Sequence, residues 1–421
     1  MKHVWRPYTQ MKTEAAPIEV VATEGCWLQL RDGRRLLDGI SSWWTACHGY
    51  NHPHIRAEVT AQLQTMPHVM FGGLTHEPAE RLGRRLSELL PGELDHVFFT
   101  ESGSVSVEVG MKMAIQSWQN RGQGRKTERV SFFGAYHGDT FATMALCDPE
   151  EGMHTRFRDV LPSSQVTQLP RTDLEKERFR TWLMARRDRV ATVVVEPLVQ
   201  AAGGFVFHDP SVLRFLREIC TEAEVWLSFD EIAVGFGRLG SMFACEAAGV
   251  VPDIITLSKA LTGGTLPLAA TVATREIFEA FLSDRSEDAL MHGPTYMANP
   301  MGCAAANASL DLFEREPRLA QARAMESVLL SGLSPLRGLN GVLDVRAMGA
   351  LGVVELVDGD ALLWLRRRFV EEGVWVRPLG RTIYLMPPLV ASKEELGKLT
   401  RAVCAVVGEW SERFVSKLES G

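Results

Sequence analysis

A two-part α/β protein, with one large and mostly parallel sheet covered by helices and a smaller α+β unit, is predicted by three features of the sequence. Short β-branched or apolar runs alternate with amphipathic helical stretches through the middle of the chain. Toward the C-terminus this alternation gives way to a cluster of short strands flanked by helices. No long Pro/Ser linker, low-complexity tract or repeat separates the parts, so they pack closely. With 421 residues, 46% hydrophobic and 23% charged, the chain has enough apolar material for a large core.

The large unit is expected over residues 45–310. Its strands are read at 96–99, 192–196, 225–229 and 254–257. Its helices are read at 105–119, 210–223 and 300–314, where apolar residues return at three- and four-residue steps. The smaller unit, 311–421, opens with a helix at 318–332. Strands at 342–346, 350–356, 374–377 and 382–386 follow, with helices at 360–372 and 393–415. Residues 1–44 are expected to pack with this second unit.

Charge and cysteine usage remove several functions. The net charge of −7 comes with no basic stripe, and Arg366-Arg367-Arg368 reads as the solvated face of a helix, so nucleic acid is not a partner. The seven cysteines (Cys26, Cys47, Cys147, Cys220, Cys245, Cys303 and Cys404) are scattered and contain no Cys-x-x-Cys pair, which fits a reducing cytosol and suggests no zinc site. The start, Met1-Lys2-His3-Val4-Trp5-Arg6-Pro7, lacks an apolar signal core. No apolar run approaches the roughly 20 residues that span a bilayer, so a soluble, cytoplasmic protein is expected.

Two motifs carry chemistry together. Asp230, in Phe229-Asp230-Glu231, ends one predicted strand, and Lys259, in Leu257-Ser258-Lys259, follows the next. Ligands bind at such strand ends in open parallel sheets. Alone, Asp230 reads as a turn cap and Lys259 as a surface lysine; side by side they match what pyridoxal chemistry needs. A lysine amine bonds the cofactor's carbonyl carbon, and a carboxylate keeps the pyridine nitrogen protonated. A phosphate cradle is offered by Thr100-Glu101-Ser102-Gly103-Ser104, between a strand and a helix start. As plain capping, Ser104 would be unremarkable. A second hydroxyl, Thr295, stands in His292-Gly293-Pro294-Thr295. Gly235-x-Gly237-x-x-Gly240 matches a dinucleotide fingerprint, but five residues separate it from its strand, and it leaves Ser258-Lys259 unexplained.

With these residues the chain resembles, over nearly its whole length, the class III (ω-) aminotransferases of the fold-type I pyridoxal enzymes. The resemblance implies a seven-stranded sheet, pyridoxal 5'-phosphate as cofactor, and a homodimer with its active site at the subunit interface. Ser41-Ser42-Trp43-Trp44, His48-Gly49-Tyr50-Asn51-His52-Pro53, His68-Val69-Met70-Phe71-Gly72-Gly73, the 292–295 motif and Gly373-Val374-Trp375-Val376-Arg377-Pro378 resemble more narrowly the branch acting in biotin biosynthesis. That branch transfers the amino group of S-adenosylmethionine to 8-amino-7-oxononanoate. Thr100-Glu101 departs from its usual Ala-Asp, and Leu239 from its usual Thr.

The resemblance assigns Lys259 as the catalytic residue. It gives the cofactor Gly103, Ser104, Tyr136, Asp230, Lys259, Pro294 and Thr295, with Thr295 reaching the partner subunit's phosphate. Substrate would meet Tyr8, Trp43, Trp44, Tyr136, Lys259, Gly293 and Arg377. An acceptor carrying a carboxylate far from its ketone needs a cation beside an apolar wall, which Arg377 and the aromatic residues would provide. Other ω-aminotransferases, acting on ornithine, 4-aminobutyrate or β-alanine, share the cofactor residues, and some relatives with this acceptor use lysine as donor. The pocket discriminates among them.

Overall fold

Seven strands form the central sheet of the chain in the computed structural model, which describes residues 3–152 and 154–415. The outer ends of the expected N- and C-terminal units, 1–2 and 416–421, lie outside the described residues. In space the strands run Leu94–Thr100, Ala269–Thr274, Ile254–Leu257, Trp226–Asp230, Val190–Val195, Glu128–Phe132 and Gln165–Thr167. Pairing is parallel from Ile254–Leu257 onward and antiparallel on both sides of Ala269–Thr274. Val190–Val195 is buried at every position, as a strand covered on both faces must be.

All four strands expected in the large unit lie in this sheet, and the three helices appear as Gly103–Asn120, Pro210–Glu222 and Pro300–Arg315. Their starts have local causes. Ser102, Asp209 and Asn299 each cap a first turn with a side-chain oxygen. Helix Gly103–Asn120 approaches the sheet closely at Gly110, where an added Cβ would lie 3.3 Å from Ile254 Cγ2.

In the tail, Val342–Met348, Leu351–Leu356 and Thr382–Leu385 form an antiparallel sheet, and helices Arg318–Leu333 and Lys393–Trp410 pack on each other beside it. The expected strand at 374–377 is only Val374–Trp375. It does not join that sheet. It pairs in parallel with Arg35–Asp38, setting Val374 against Leu37 and Trp375 against Asp38, within a four-stranded sheet completed by Val20–Glu24 and Trp27–Leu30. Pro378, with no backbone N–H to offer a ladder, follows soon after. The expected helix at 393–415 keeps α geometry to Trp410, then widens into a π turn over Ser411–Val415. One apolar core runs through both parts, from Leu82 and Phe229 to Leu329, Phe369 and Trp410.

All seven cysteines are free thiols. Among the described residues no helix is long and apolar enough to cross a membrane.

The loop after Ile254–Leu257 makes a single 3-10 turn, Lys259–Thr262, and leaves it through Gly263 and Gly264 at φ 60° and 76°. A Cβ on Gly264 would lie 2.9 Å from Thr45 Oγ1 and 3.0 Å from Ala46 Cα, so only glycine lets this loop seat against the 41–47 segment. Gly33 shares the positive φ but meets nothing within 4 Å. Gly264→Ala is therefore expected to destabilise the protein by about 1–3 kcal/mol more than Gly33→Ala. Thermal unfolding of the two variants measures the difference, and equal shifts would exclude a steric role for the close approach.

Candidate active site

At the C-terminal ends of the parallel strands lies a cavity of about 160 Å³, lined by Trp44, Gly103, Tyr136, Glu196, Asp230 and Lys259 among others. Wider clefts, such as the one between Gln116, Asn120 and Arg285, bring no acid and amine of this kind together.

Asp230 is the last residue of its strand and is 5% exposed. Its Oδ2 accepts a hydrogen bond from His137 Nδ1 at 2.8 Å, and its Oδ1 accepts one from the amide of Ile232 at 3.2 Å. Burial alone would lower the His137 pKa, but the hydrogen bond and charge of Asp230 hold it above the usual histidine range. Nearby Glu196, 4% exposed, accepts from the amides of Tyr136 and Ala201, each at 2.9 Å. Burial pushes its carboxyl up to about 7.

Lys259 adopts φ 45°, a left-handed conformation held at the start of the 3-10 turn. Desolvation pulls its amine down to about 8, against the opposing charges of Asp230 and Glu196. The Nζ atom sits 4.2 Å from the centre of the Trp44 ring, and no carboxylate lies within ion-pair distance of it among the described residues.

Which serine does the capping decides which hydroxyl is left to face the cavity. Ser102, not Ser104, caps the helix, its Oγ accepting from Val105 N at 3.3 Å. Ser104 is free to line the cavity, and its Oγ accepts from Asp139 N at 3.0 Å. The amides of Gly103 and Ser104 head an 18-residue helix, where no preceding turn supplies a carbonyl. At Gly138, φ 130°, a Cβ would sit 2.3 Å from Ser104 Oγ, so the opposite wall is also shaped by the absence of a side chain. A desolvated amine without an ion pair among the described residues, a carboxylate fixed by His137 and a helix start whose Gly103 and Ser104 amides have no preceding turn fit pyridoxal phosphate.

The aromatic residues gather beyond it. Tyr136 Oη donates to Asp139 Oδ1 at 2.8 Å, and Tyr8 Oη lies 3.3 Å from Tyr136 Oη while donating to Asp139 Oδ2. His154 Nε2 reaches Asp139 from the other side at 3.0 Å. Trp44 is buried edge-on against Phe205 and Tyr384. Trp43 is 39% exposed, edge-on to Tyr8, with the Arg377 guanidinium 5.1 Å over its ring. Burial and the charge of Arg366 lower the Arg377 pKa, and among the described residues Arg377 makes no ion pair.

The structure does not bring Gly293, Pro294 and Thr295 to this chain's own cavity; Gly293 and Thr295 are exposed. The Gly235-Gly237-Gly240 stretch is a series of turns opening no helix, with Arg323 donating to Gly240 O, so no dinucleotide site exists there. Sequence reasoning missed His137, Asp139, His154 and Glu196. Glu196 had a signal, because it follows a central strand just as Asp230 ends one.

The low Lys259 pKa is measurable in protein stripped of cofactor. Labelling of Lys259 by an amine reagent, followed by peptide mapping across pH, should show a midpoint near 8 instead of the ordinary 10.5. Asp230→Asn should move it lower still, because the lost charge favours the protonated amine. An unmoved or higher midpoint would refute the electrostatic coupling.

Comparison with known proteins agrees with this geometry. A family model described as aminotransferase class-III matches residues 8–407. An adenosylmethionine-8-amino-7-oxononanoate aminotransferase of Mycobacterium leprae is 44% identical over 96% of this chain and 95% of its own, and one of Corynebacterium glutamicum is 40% identical over 96% and 97%. A crystal structure of the enzyme of that name from Methanocaldococcus jannaschii superposes with a TM-score of 0.92 at 31% identity, covering 97% of both chains. An amine transaminase from an uncultivated Pseudomonas species, in a PLP-bound form, gives 0.90 at 29% identity over 96% of this chain and 98% of its own. The chain belongs to the class III aminotransferases, enzymes that depend on pyridoxal phosphate.

Proposed function

We propose that this chain transfers the amino group of S-adenosylmethionine to 8-amino-7-oxononanoate, giving 7,8-diaminononanoate in biotin biosynthesis, and that it works as a homodimer in the cytoplasm. Relatives bearing that activity in their names match at 38–44% identity over nearly the full length. The observation that carries the reading is Arg377, a desolvated guanidinium without an ion pair among the described residues, held over Trp43 beside Tyr8. An uncompensated cation on an aromatic wall suits a carboxylate at the end of an apolar chain. The donor has a carboxylate for the same guanidinium and a sulfonium that the aromatic faces attract.

Bound pyridoxal phosphate supplies a ring that draws electron density from the substrate Cα and carries the amino group between donor and acceptor. Gly103 and Ser104 would hold its phosphate at the positive end of their helix. Asp230 would keep a proton on the ring nitrogen, and His137 fixes the carboxylate for that task. Tyr136 would lie against the ring. Lys259 would bond the cofactor's carbonyl carbon and, once displaced by substrate, would take the Cα proton on Nζ as a neutral amine and return it. Its pKa near 8 makes the neutral form accessible close to neutral pH. Trp44, packed over that amine, helps keep water from it.

Support for the dimer comes from apolar side chains left uncovered around the 292–295 motif. Met70, Leu74, Met291 and Tyr296 are all more than half exposed. Asn299 Nδ2 bonds Pro67 O at 3.3 Å and the His68 and Tyr296 rings lie 4.6 Å apart, so the two segments form one surface. A second copy covering it would carry Gly293, Pro294 and Thr295 toward the partner's cofactor. The seven free thiols suit a reducing cytoplasm.

Arg377→Ala tests the substrate assignment. Losing a charge-assisted contact of about 1.5–3 kcal/mol predicts roughly a 10- to 150-fold drop in kcat/KM for both substrates, with cofactor occupancy unchanged. Steady-state kinetics with each substrate varied in turn gives the answer. A loss confined to one of them would refute the shared carboxylate site.

A further inference from the structure

Residues Ser41, Ser42, Trp43 and Trp44 have φ values of 50°, 48°, 65° and 75°. Ser42 and Trp43 have ψ values of 53° and 48°, so the segment is a left-handed helical turn, closed by Trp44 N to Ile40 O and Thr45 N to Ser41 O, each at 2.8 Å. Single L-residues visit this conformation; four in succession without a glycine must be held there by their surroundings. One buried side chain supplies several of the bonds that hold it. Asp38, wholly buried, accepts from Ile40 N through Oδ1 and from Ser42 N through Oδ2, each at 2.8 Å. Its Oδ2 also accepts from the hydroxyl of Tyr50, which lies 2.6 Å from Ser42 Oγ. Among the described residues no cation forms an ion pair with Asp38, so these hydrogen bonds are its direct partners, and the buried Arg238 guanidinium acts on it only from a distance. Ser41 Oγ adds a bond to Met386 O at 2.8 Å.

The two tryptophans of this turn meet two different cations: Trp44, in the cavity wall, lies under Lys259, and Trp43, outside that wall, lies under Arg377. We propose that Asp38, seconded by Tyr50, is the positioning residue of the substrate site, pinning the left-handed turn that aims Trp43 at Arg377 and Trp44 at Lys259. This rests on the functional reading above for the role of Arg377, but not for the geometry. In Asp38→Asn an amide donor replaces one carboxylate oxygen and faces donors it cannot satisfy, while Tyr50→Phe removes one hydroxyl and keeps the ring. Released from Asp38, the turn relaxes toward right-handed backbone and withdraws both indoles.

The test uses holoenzyme labelled with 5-fluorotryptophan, in which Trp43→Phe and Trp44→Phe assign two of the ten tryptophan resonances. Asp38→Asn, and to a smaller extent Tyr50→Phe, should shift or broaden those two lines and leave the other eight in place. With adenosylmethionine varied, KM should rise about 10-fold or more in Asp38→Asn, and that effect should fall below about 2-fold in a Trp43→Ala background, because acting through one element is non-additive. Unmoved Trp43 and Trp44 lines, or fully additive kinetic losses, would overturn the proposal. Should Asp38→Asn fail to fold, the fluorine lines and KM of Tyr50→Phe decide it. If the parent enzyme converts no adenosylmethionine, the functional reading fails, and the fluorine spectra still judge this one.

Discussion

Two neighbouring parallel strands, registered so that Asp230 faces Thr256, deliver a carboxylate and an amine to the same end of one sheet, and the active site follows from that pairing. Asp230 closes the first strand, and Lys259 stands two residues beyond the end of the second, so no loop of uncertain path separates either from the sheet. Desolvation then does the chemical work. It brings the lysine amine to about 8 and the Glu196 carboxyl to about 7, while Asp230 is secured as an acceptor by His137. The start of helix Gly103–Asn120 opens at the same rim, because Leu94–Thr100 ends there after two antiparallel steps through Ala269–Thr274.

The substrate end depends on a second pairing. Trp375 lies against Asp38, which places Arg377 two residues beyond one strand and the tryptophan turn just beyond the other. Two remote parts of the chain thereby meet at a guanidinium and an indole. Under the proposed function, substrate choice would depend on how the N-terminal strands dock on the tail, while the Asp230 and Lys259 pair is carried by the large sheet. Such a division would let one family keep its cofactor machinery and change its substrates.

Much of this was legible in the sequence, where the signal was local. Asp230 and Lys259 could be read because each lies at the end of a short apolar run, and helix Gly103–Asn120 because its apolar positions repeat. His137 left no local signal, since its partner lies 93 residues away, and Glu196 offered only its place after a central strand, its partners being backbone amides. The left-handed turn at Ser41–Trp44 was invisible because no glycine marks it; a conformation costing roughly 1–2 kcal/mol per residue is tied down by contacts distant in sequence, such as Met386 O, and by the buried Asp38 carboxylate. The strand expected at 374–377 was overread because Val376 and Arg377 look extended in sequence, while the partner strand, Arg35–Asp38, pairs only with its first two residues.

The central claim is that this site accepts adenosylmethionine as amino donor. Holoenzyme mixed with a single amino donor and no acceptor should change from the pyridoxal to the pyridoxamine form of its cofactor, a conversion followed by stopped-flow absorbance. Adenosylmethionine should drive it rapidly and 4-aminobutyrate should not, because only the former places both a carboxylate on Arg377 and a cation against the aromatic wall. Rapid conversion by 4-aminobutyrate with none by adenosylmethionine would contradict the account.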